Sequence, residues 1–386
     1  MHLSFLRPLY GRPGPWVSVY LDASHDTEDA AKTLELRWRA ARERLTAPRG
    51  GDPGAEGGAD VTADAATLDA VEQAVLTHPV RPGGYGLAVF GAAGAARYVE
   101  TTPVPPVDVI ADVGDLPHTM PLVRLRQEGV AWLRVVVDRT GADLLGATEG
   151  GVARTSSVTG GEDYPIRKVK PGGWSQPRYQ RSAENTWEHN AKDIADAVAD
   201  LAVAVDPEVV VIAGDVRERQ LLVEHLPERW RQRVVQTEAG SRAPGADPEP
   251  LDAATASNVA ALAAHRVAET IDRFRSEWGR DAAAGTGLAA AVAALQRGQV
   301  DTLLVNELSA DERLWIGPEP TQLAFTADEV RAMGVDEPRR VRADSAVLRA
   351  LTATEADLVL VAPEEADLDG GVGALLRYVD AATRHR

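Results

Sequence analysis

Five cations stand between Tyr164 and Arg181, in the run YPIRKVKPGGWSQPRYQR: Arg167, Lys168, Lys170, Arg178 and Arg181, with no carboxylate among them. The whole chain carries a formal net charge of −17 and only four lysines, two of which fall in this window. A positive segment confined to one place in an acidic protein is a means of holding phosphate. Gly172 and Gly173 let the backbone come close to a partner and reach positive φ. Ser175 or Gln176 is a candidate N-cap and Pro177 suits the first turn of a helix, so free N–H groups and a positive dipole end would lie beside the cations. Trp174 and Tyr179 offer flat surfaces to unpaired bases. These residue types in this order point to an RNA backbone. The plain alternative is a solvated loop with Trp174 tucked against its own domain.

Other candidates carry less chemistry. Glu188, His189 and Asp193 share a helical stretch, but no second histidine stands four residues from His189, and no metal is expected there. Gly214-Asp215 follows an apolar run without G-x-G-x-x-G or G-x-x-x-x-G-K-[ST], and so reads as a strand-to-helix turn. Gly370-Gly371-Val372-Gly373 reads as packing. The chain has no cysteine, which removes disulfides, Cys-ligated zinc and thiol catalysis, and no cofactor is expected. The N-terminal residues lack a basic segment followed by an apolar one, and no apolar run approaches the roughly 18 residues of a membrane span, so a cytoplasmic protein without a signal peptide is expected.

The elements that must position the cationic run follow from periodicity. Strands are predicted over Trp16–Asp22, Tyr85–Phe90 and Ala95–Glu100, with helices over Ala30–Leu45 and Thr67–Leu76. Residues 47–60, rich in Gly, Pro and Asp, read as a loop. A hairpin is predicted from Trp132–Asp138 and Ala142–Thr148. A polar loop then runs from Thr155 to Pro177 into a long helix, Arg178–Val205, with Trp187, Ala191, Ile194, Val198, Leu201 and Val205 on one face. Val209–Ala213 reads as a buried strand and Glu218–Leu226 as a helix. Gly240–Leu251 has the composition of a domain boundary. Helices are predicted over Ala254–Trp278, Gly287–Arg297, Asp328–Met333 and Gly373–Ala382, and strands over Asp301–Asn306 and Asp357–Val361. With 386 residues, two or three domains are expected, each with alternating strands and helices.

At this point a family comes into view. Residues 288–307, LAAAVAALQRGQVDTLLVNE, resemble a helix-then-strand pattern of the archaeo-eukaryotic release factor and Pelota group, and GVGALLRY (371–378) resembles its "GGIGAILRY" ending. GGWSQPRYQR resembles the release-factor stretch that opens Gly-Gly-Gln and continues Ser-x-x-Arg-Phe-x-Arg. PGPWVSVYLD resembles the opening of the bacterial branch. The chain is thus similar to bacterial members of that group, including the Balon-type ribosome hibernation factors.

The resemblance implies an α/β fold of three domains: an N-terminal α/β domain (1–125), a release-factor-like middle domain (126–245) and an L7Ae-like C-terminal domain (246–386). It places Gly172 and Gly173 at the two glycine positions, with Ser175, Arg178, Tyr179 and Arg181 at the serine, arginine, aromatic and second arginine. Trp174 then occupies the place of the catalytic glutamine, and a tryptophan has no amide with which to position water. The family's zinc-binding cysteines are absent, and no stop-codon motif is recognisable in the first domain.

The implied function is therefore occupation of a vacant ribosomal A site in a stress response, without peptide hydrolysis. The alternative is a peptidyl-tRNA hydrolase in stalled-ribosome rescue that uses Gln176. The implied partners are the 70S ribosome, through rRNA of the decoding and peptidyl-transferase centres, and an elongation factor Tu-type GTPase; neither DNA nor a membrane is expected. Arg7, Tyr10 and Arg12 are candidate contacts of the first domain.

Overall fold

The computed structural model describes residues 1–25, 29–47, 62–80, 84–126, 129–148, 153–159, 176–280, 283–309 and 311–380, and for 176–187 the helical backbone alone. The first part of the chain forms α1 (Arg7–Tyr10), β1 (Trp16–Asp22), α2 (Ala30–Thr46), α3 (Ala65–Leu76), β2 (Gly86–Ala92), β3 (Ala95–Thr102), β4 (Ile110–Gly114) and α4 (Met120–Leu125). There follow β5 (Trp132–Asp138), β6 (Gly141–Ala147), β7 (Ala153–Thr159), α5 (Gln176–Val205), β8 (Val209–Gly214), α6 (Val216–His225), α7 (Glu228–Arg231), β9 (Val234–Gln236) and α8 (Glu249–Gly279). The last part contains β10 (Ala284–Thr286), α9 (Leu288–Gln296), β11 (Val300–Val305), β12 (Arg313–Ile316), β13 (Leu323–Ala324), α10 (Ala327–Ala332), β14 (Arg339–Arg342), α11 (Ala343–Thr354), β15 (Asp357–Leu360) and β16 (Val372–Leu376). Among the described residues no helix is long and apolar enough to cross a membrane.

Two compact units result: Met1–Gln127 together with Val267–Arg386, and Glu128–Arg266. In the first, an antiparallel sheet has the order β3-β2-β1-β4, and its central strands β1 and β2 are buried on both faces. Val17, Val19 and Leu21 pair with residues of β2 and pack under Trp38 and Ala41 of α2 and Leu68, Val71 and Val75 of α3. The alternate residues Trp16, Tyr20, Ala88 and Phe90 join a larger core built with α4, α9, α11 and β11. Asp64 starts α3 by accepting the Thr67 amide at 2.8 Å, an N-cap that satisfies one orphan donor. A second sheet has the order β10-β16-β11-β15, and β13-β12-β14 form a third.

Met1–Gln127 and Val267–Arg386 thus share one core, in which Leu3, Leu6 and Leu9 pack with side chains of α9 and α11. Polar contacts follow the same path. The Tyr10 hydroxyl lies 2.6 Å from that of Thr119, Arg7 pairs with Glu355, and His118 Nε2 lies 3.3 Å from Asp344 Oδ2. Of the three first-domain candidates, Arg12 has an exposed side chain with no such tie among the described residues.

The helix predicted over Gly373–Ala382 is instead β16, followed by non-regular chain to residue 380. All five residues of β16 are buried, and the strand lies inside its sheet between β10 and β11. A strand covered on both faces reads as a continuous apolar run, which periodicity cannot tell from a buried helix. Gly373 is where the Phe274 ring comes closest, since a Cβ there would lie 2.9 Å from it.

The second unit holds the sheet β7-β6-β5-β8-β9, with β5, β8 and β9 parallel. Leu133, Val135, Val137, Val210 and Ile212 meet α5, α6 and Trp230 on one face. Val209 and Val211 meet Val259 on the other, and Val136 and Ala213 meet Leu251. Helices on both faces explain the unbroken apolar run of β8. The segment read as a boundary, Gly240–Leu251, belongs to this unit: Leu251 is core, and Arg242 is tied to the β5–β6 hairpin. Its Gly, Pro and acidic composition suits a linker, yet two side chains are enough to pin it.

Candidate nucleic-acid interface

The cationic run lies between β7 and α5. Arg167, Lys168, Lys170, Gly172, Gly173, Trp174 and Ser175 are outside the described residues. Gln176, Arg178, Tyr179 and Arg181 fall in the first turns of α5, where the backbone is helical and the side chains are not described. The helix starts at Gln176, two residues before the predicted start, and Pro177 sits in its first turn. The loop predicted from Thr155 is shorter than expected, because Ala153–Thr159 forms β7 against β6. That strand was missed because its residues, ARTSSVT, are polar and almost all exposed at a sheet edge.

Strand register shows where β7, the strand before the run, ends. Thr159 pairs with Gly141, Gly141 with Asp138, and Val137 with Gly214. The end of β7 is therefore at the same sheet edge as the carboxyl ends of β5 and β8, the edge at which open α/β sheets bind ligands. α5 returns along the sheet in the opposite sense to β8, since only three residues separate Val205 from Val209. β8 spans roughly 20 Å and is covered by about thirteen helical residues. The buried face of α5, Asn190, Ala191, Ile194, Ala195, Val198, Ala202 and Val205, fits that span. At about 1.5 Å per residue, the 30 residues of α5 span roughly 45 Å, longer than the roughly 20 Å of β8 along which the helix returns.

The sheet edge below is charged and well paired. Arg242 reaches Asp138 at 2.7 Å and Asp143 at 2.9 Å, and its guanidinium lies 3.2 Å from the Thr140 hydroxyl. Burial acts to raise the Asp138 carboxyl, but bonds from the Thr140 hydroxyl and amide and from Arg242 hold it below its usual range. Asp215 caps α6 by accepting the Arg217 amide at 3.0 Å, as a strand-to-helix turn requires. His189 lies 3.7 Å from Asp193, both exposed on α5, and no described group of three or more His, Cys, Asp or Glu is arranged to hold a metal.

Glu218 was not anticipated. It sits in the first turn of α6 at 4% exposure, and its Oε1 has no hydrogen-bond partner among the described residues. Burial, then the nearby Asp215, pushes its carboxyl up. A folded-state value above the unfolded one means that the protonated form is favoured by folding. This stability is present in acid and is lost as pH rises through the raised value. Glu218→Gln should therefore stabilise the unit by on the order of 1 kcal/mol at neutral pH. Urea denaturation at about pH 7.5 and about pH 4.5 checks this, with the gain expected to shrink at the lower pH, where a larger share of the native carboxyl is protonated.

Known proteins resemble the chain at two levels. The sequence model of Bacterial archaeo-eukaryotic release factor family 2 matches residues 131–280, which span the unit that bears the cationic run and the rest of α8. Protein Rv2629 of Mycobacterium tuberculosis H37Rv is 33% identical over 375 residues, covering 97% of this chain and 96% of its own. Among solved structures, yeast Dom34, a translation termination-like factor, matches 78% of this chain and 83% of its own at 9% identity and a TM-score of 0.39. Ribosome-bound archaeal Pelota matches 97% of this chain and 94% of its own at 16% identity and a TM-score of 0.37. At such scores the superpositions are loose, and the sequence matches carry the assignment. The family model over residues 131–280, together with a relative 33% identical over nearly the whole chain, places the chain in the bacterial archaeo-eukaryotic release factor family.

Proposed function

We propose that this chain is a ribosome-binding factor of the cytoplasm that occupies a vacant A site as a release-factor and tRNA mimic, and holds idle ribosomes without hydrolysing peptidyl-tRNA. The observation that carries the proposal is the acid-free run with five cations that leads directly into the amino end of α5. Arg167, Lys168, Lys170, Arg178 and Arg181 would meet rRNA phosphates near the peptidyl-transferase centre, while Trp174 and Tyr179 would stack on bases. Residues 1–125 would lie near the decoding centre, and residues 246–386 would face an elongation factor Tu-type GTPase.

Absence of hydrolysis follows from Trp174, which stands where family members that release peptide have glutamine. Gln176 is the nearest amide and is already the first residue of α5, so a hydrolase reading requires a catalytic amide to work from a helical turn. Ribosomes loaded with labelled peptidyl-tRNA separate the two readings. The proposal expects co-sedimentation with 70S particles and no peptide released above background. Release that disappears in Gln176→Ala would establish the hydrolase instead.

A further inference from the structure

An edge strand of a sheet offers unpaired N–H and C=O groups to any chain that can lie beside it. The four sheets end in β3 and β4, β10 and β15, β13 and β14, and β7 and β9. Among the described residues, seven of these eight edges are guarded. A shift in register between Phe90 and Gly91 interrupts the pairing of β3 with β2. β4 is half-buried. β9, β10 and β13 have three, three and two residues, and short edges guide little pairing. Arg339, Arg340 and Arg342 charge β14. Met1 and His2 lie along β15, where the Leu358 amide donates to the Met1 carbonyl at 3.1 Å.

β7 carries none of these devices. It pairs with β6 over all seven residues without a shift in register, and its sequence, ARTSSVT, has neither proline nor carboxylate. Val158 is half-buried and the other six residues are exposed. An outer edge this long and regular is a template for a further strand. It also fits its own copy. In an antiparallel pair related by a two-fold axis at Ser156, all seven residues overlap. Ser156 then faces Ser156 of the second copy, Thr155 faces Ser157, Arg154 faces Val158 and Ala153 faces Thr159. The one cation of the strand never meets its twin, and the centre consists of small hydroxyl pairs, which cross-strand pairing favours. Charge points the same way. Two copies of net charge −17 repel over most of their surfaces, and a strand without carboxylates is where they can meet. Asp143, the one acid of the neighbouring β6, is already paired with Arg242 at 2.9 Å.

We propose that the outer edge of β7 binds the β7 edge of a second copy of this chain, joining two five-stranded sheets into one. A strand pair of this length is small beside the roughly 1,200 Å² of a stable interface, so the dimer forms and dissociates with concentration. The chain has no cysteine, so a single introduced thiol reports the register. Under oxidised glutathione, Ser156→Cys should give a disulfide-linked dimer, because directly opposed Cα atoms lie about 4.5 to 5.5 Å apart, within disulfide reach. Ala153→Cys is the control. Its twin lies at the far end of the paired strand, and it should cross-link roughly tenfold more slowly. Equal rates would mean random collision and would overturn the proposal. Sedimentation equilibrium of the full chain from about 1 to about 200 μM supplies the second measurement. Thr155→Lys/Ser157→Lys sets like charges opposite each other across the axis and should weaken association about tenfold. Thr155→Glu/Ser157→Lys sets opposite charges there and should restore it. Both variants should melt with the parent, since both positions are exposed. Charge variants that associate alike would overturn the proposal. So would a parent that stays monomeric at the highest concentration, which would leave the edge to an extended segment of another protein.

Discussion

Gly214→Val should unfold the 128–266 unit. Gly214 ends β8 with φ of +108°, a backbone conformation that L side chains rarely adopt. A Cβ there would lie 1.9 Å from the Val137 carbonyl oxygen, which belongs to the paired strand β5 and cannot move without opening the ladder. The same carbonyl accepts the Asp215 amide at 3.1 Å, the bond that turns the chain into α6. Strain and clash together should cost more than about 4 kcal/mol, a large part of what holds a domain of this size together. Gly245→Ala is the control. Its φ of +80° is equally unfavourable to a side chain, but nothing lies within 4 Å of the added carbon. It should cost only about 1 kcal/mol. Urea denaturation with hydrogen exchange of β5, β8 and α6 distinguishes them. Native-like protection of these elements in Gly214→Val would mean that the β5–β8 ladder is far softer than its register implies.

How far the sequence carries depends on what each element buries. β1 and β5 were legible to the residue because turns flank them and apolar or aromatic side chains fill them. α5 was legible because Ala191, Ile194, Val198 and Val205 recur at helical spacing on its sheet-facing side. α11 escaped because it is buried almost all round, and its burial takes in Asp344, Ser345, Arg349 and Thr352, which break any apolar stripe. Asp344 and Arg349 also find partners far away in sequence, His118 Nε2 at 3.3 Å and the Gly317 carbonyl at 3.0 Å, and a local pattern cannot show them.

The candidate site divides in the same way. Charge, glycines and aromatics are properties of a short run and can be read directly. The end of the sheet at which β7 stops depends on the pairing of β5, β6, β7 and β8.

Lys168→Glu with Lys170→Glu should abolish ribosome binding while the fold stays intact. The two substitutions reverse two of the five positive charges in the 164–181 run. Each removes an attraction to phosphate and adds a repulsion, and together they should weaken association on the order of 100-fold at about 0.1 M salt. What remains should lose most of its salt dependence, because fewer counter-ions are released on binding. The chain supplies its own control. Its other two lysines, Lys32 on α2 and Lys192 on α5, are both exposed, and reversing them makes the same change in net charge. If net charge governed association, the two double variants would sediment alike with 70S particles. If the local run governs it, Lys32→Glu/Lys192→Glu should co-sediment almost as the parent does, while the Lys168/Lys170 variant remains in the supernatant with an unchanged melting temperature. Equal binding by all three proteins would remove the 164–181 run from the ribosome contact and leave the A-site proposal without its anchor.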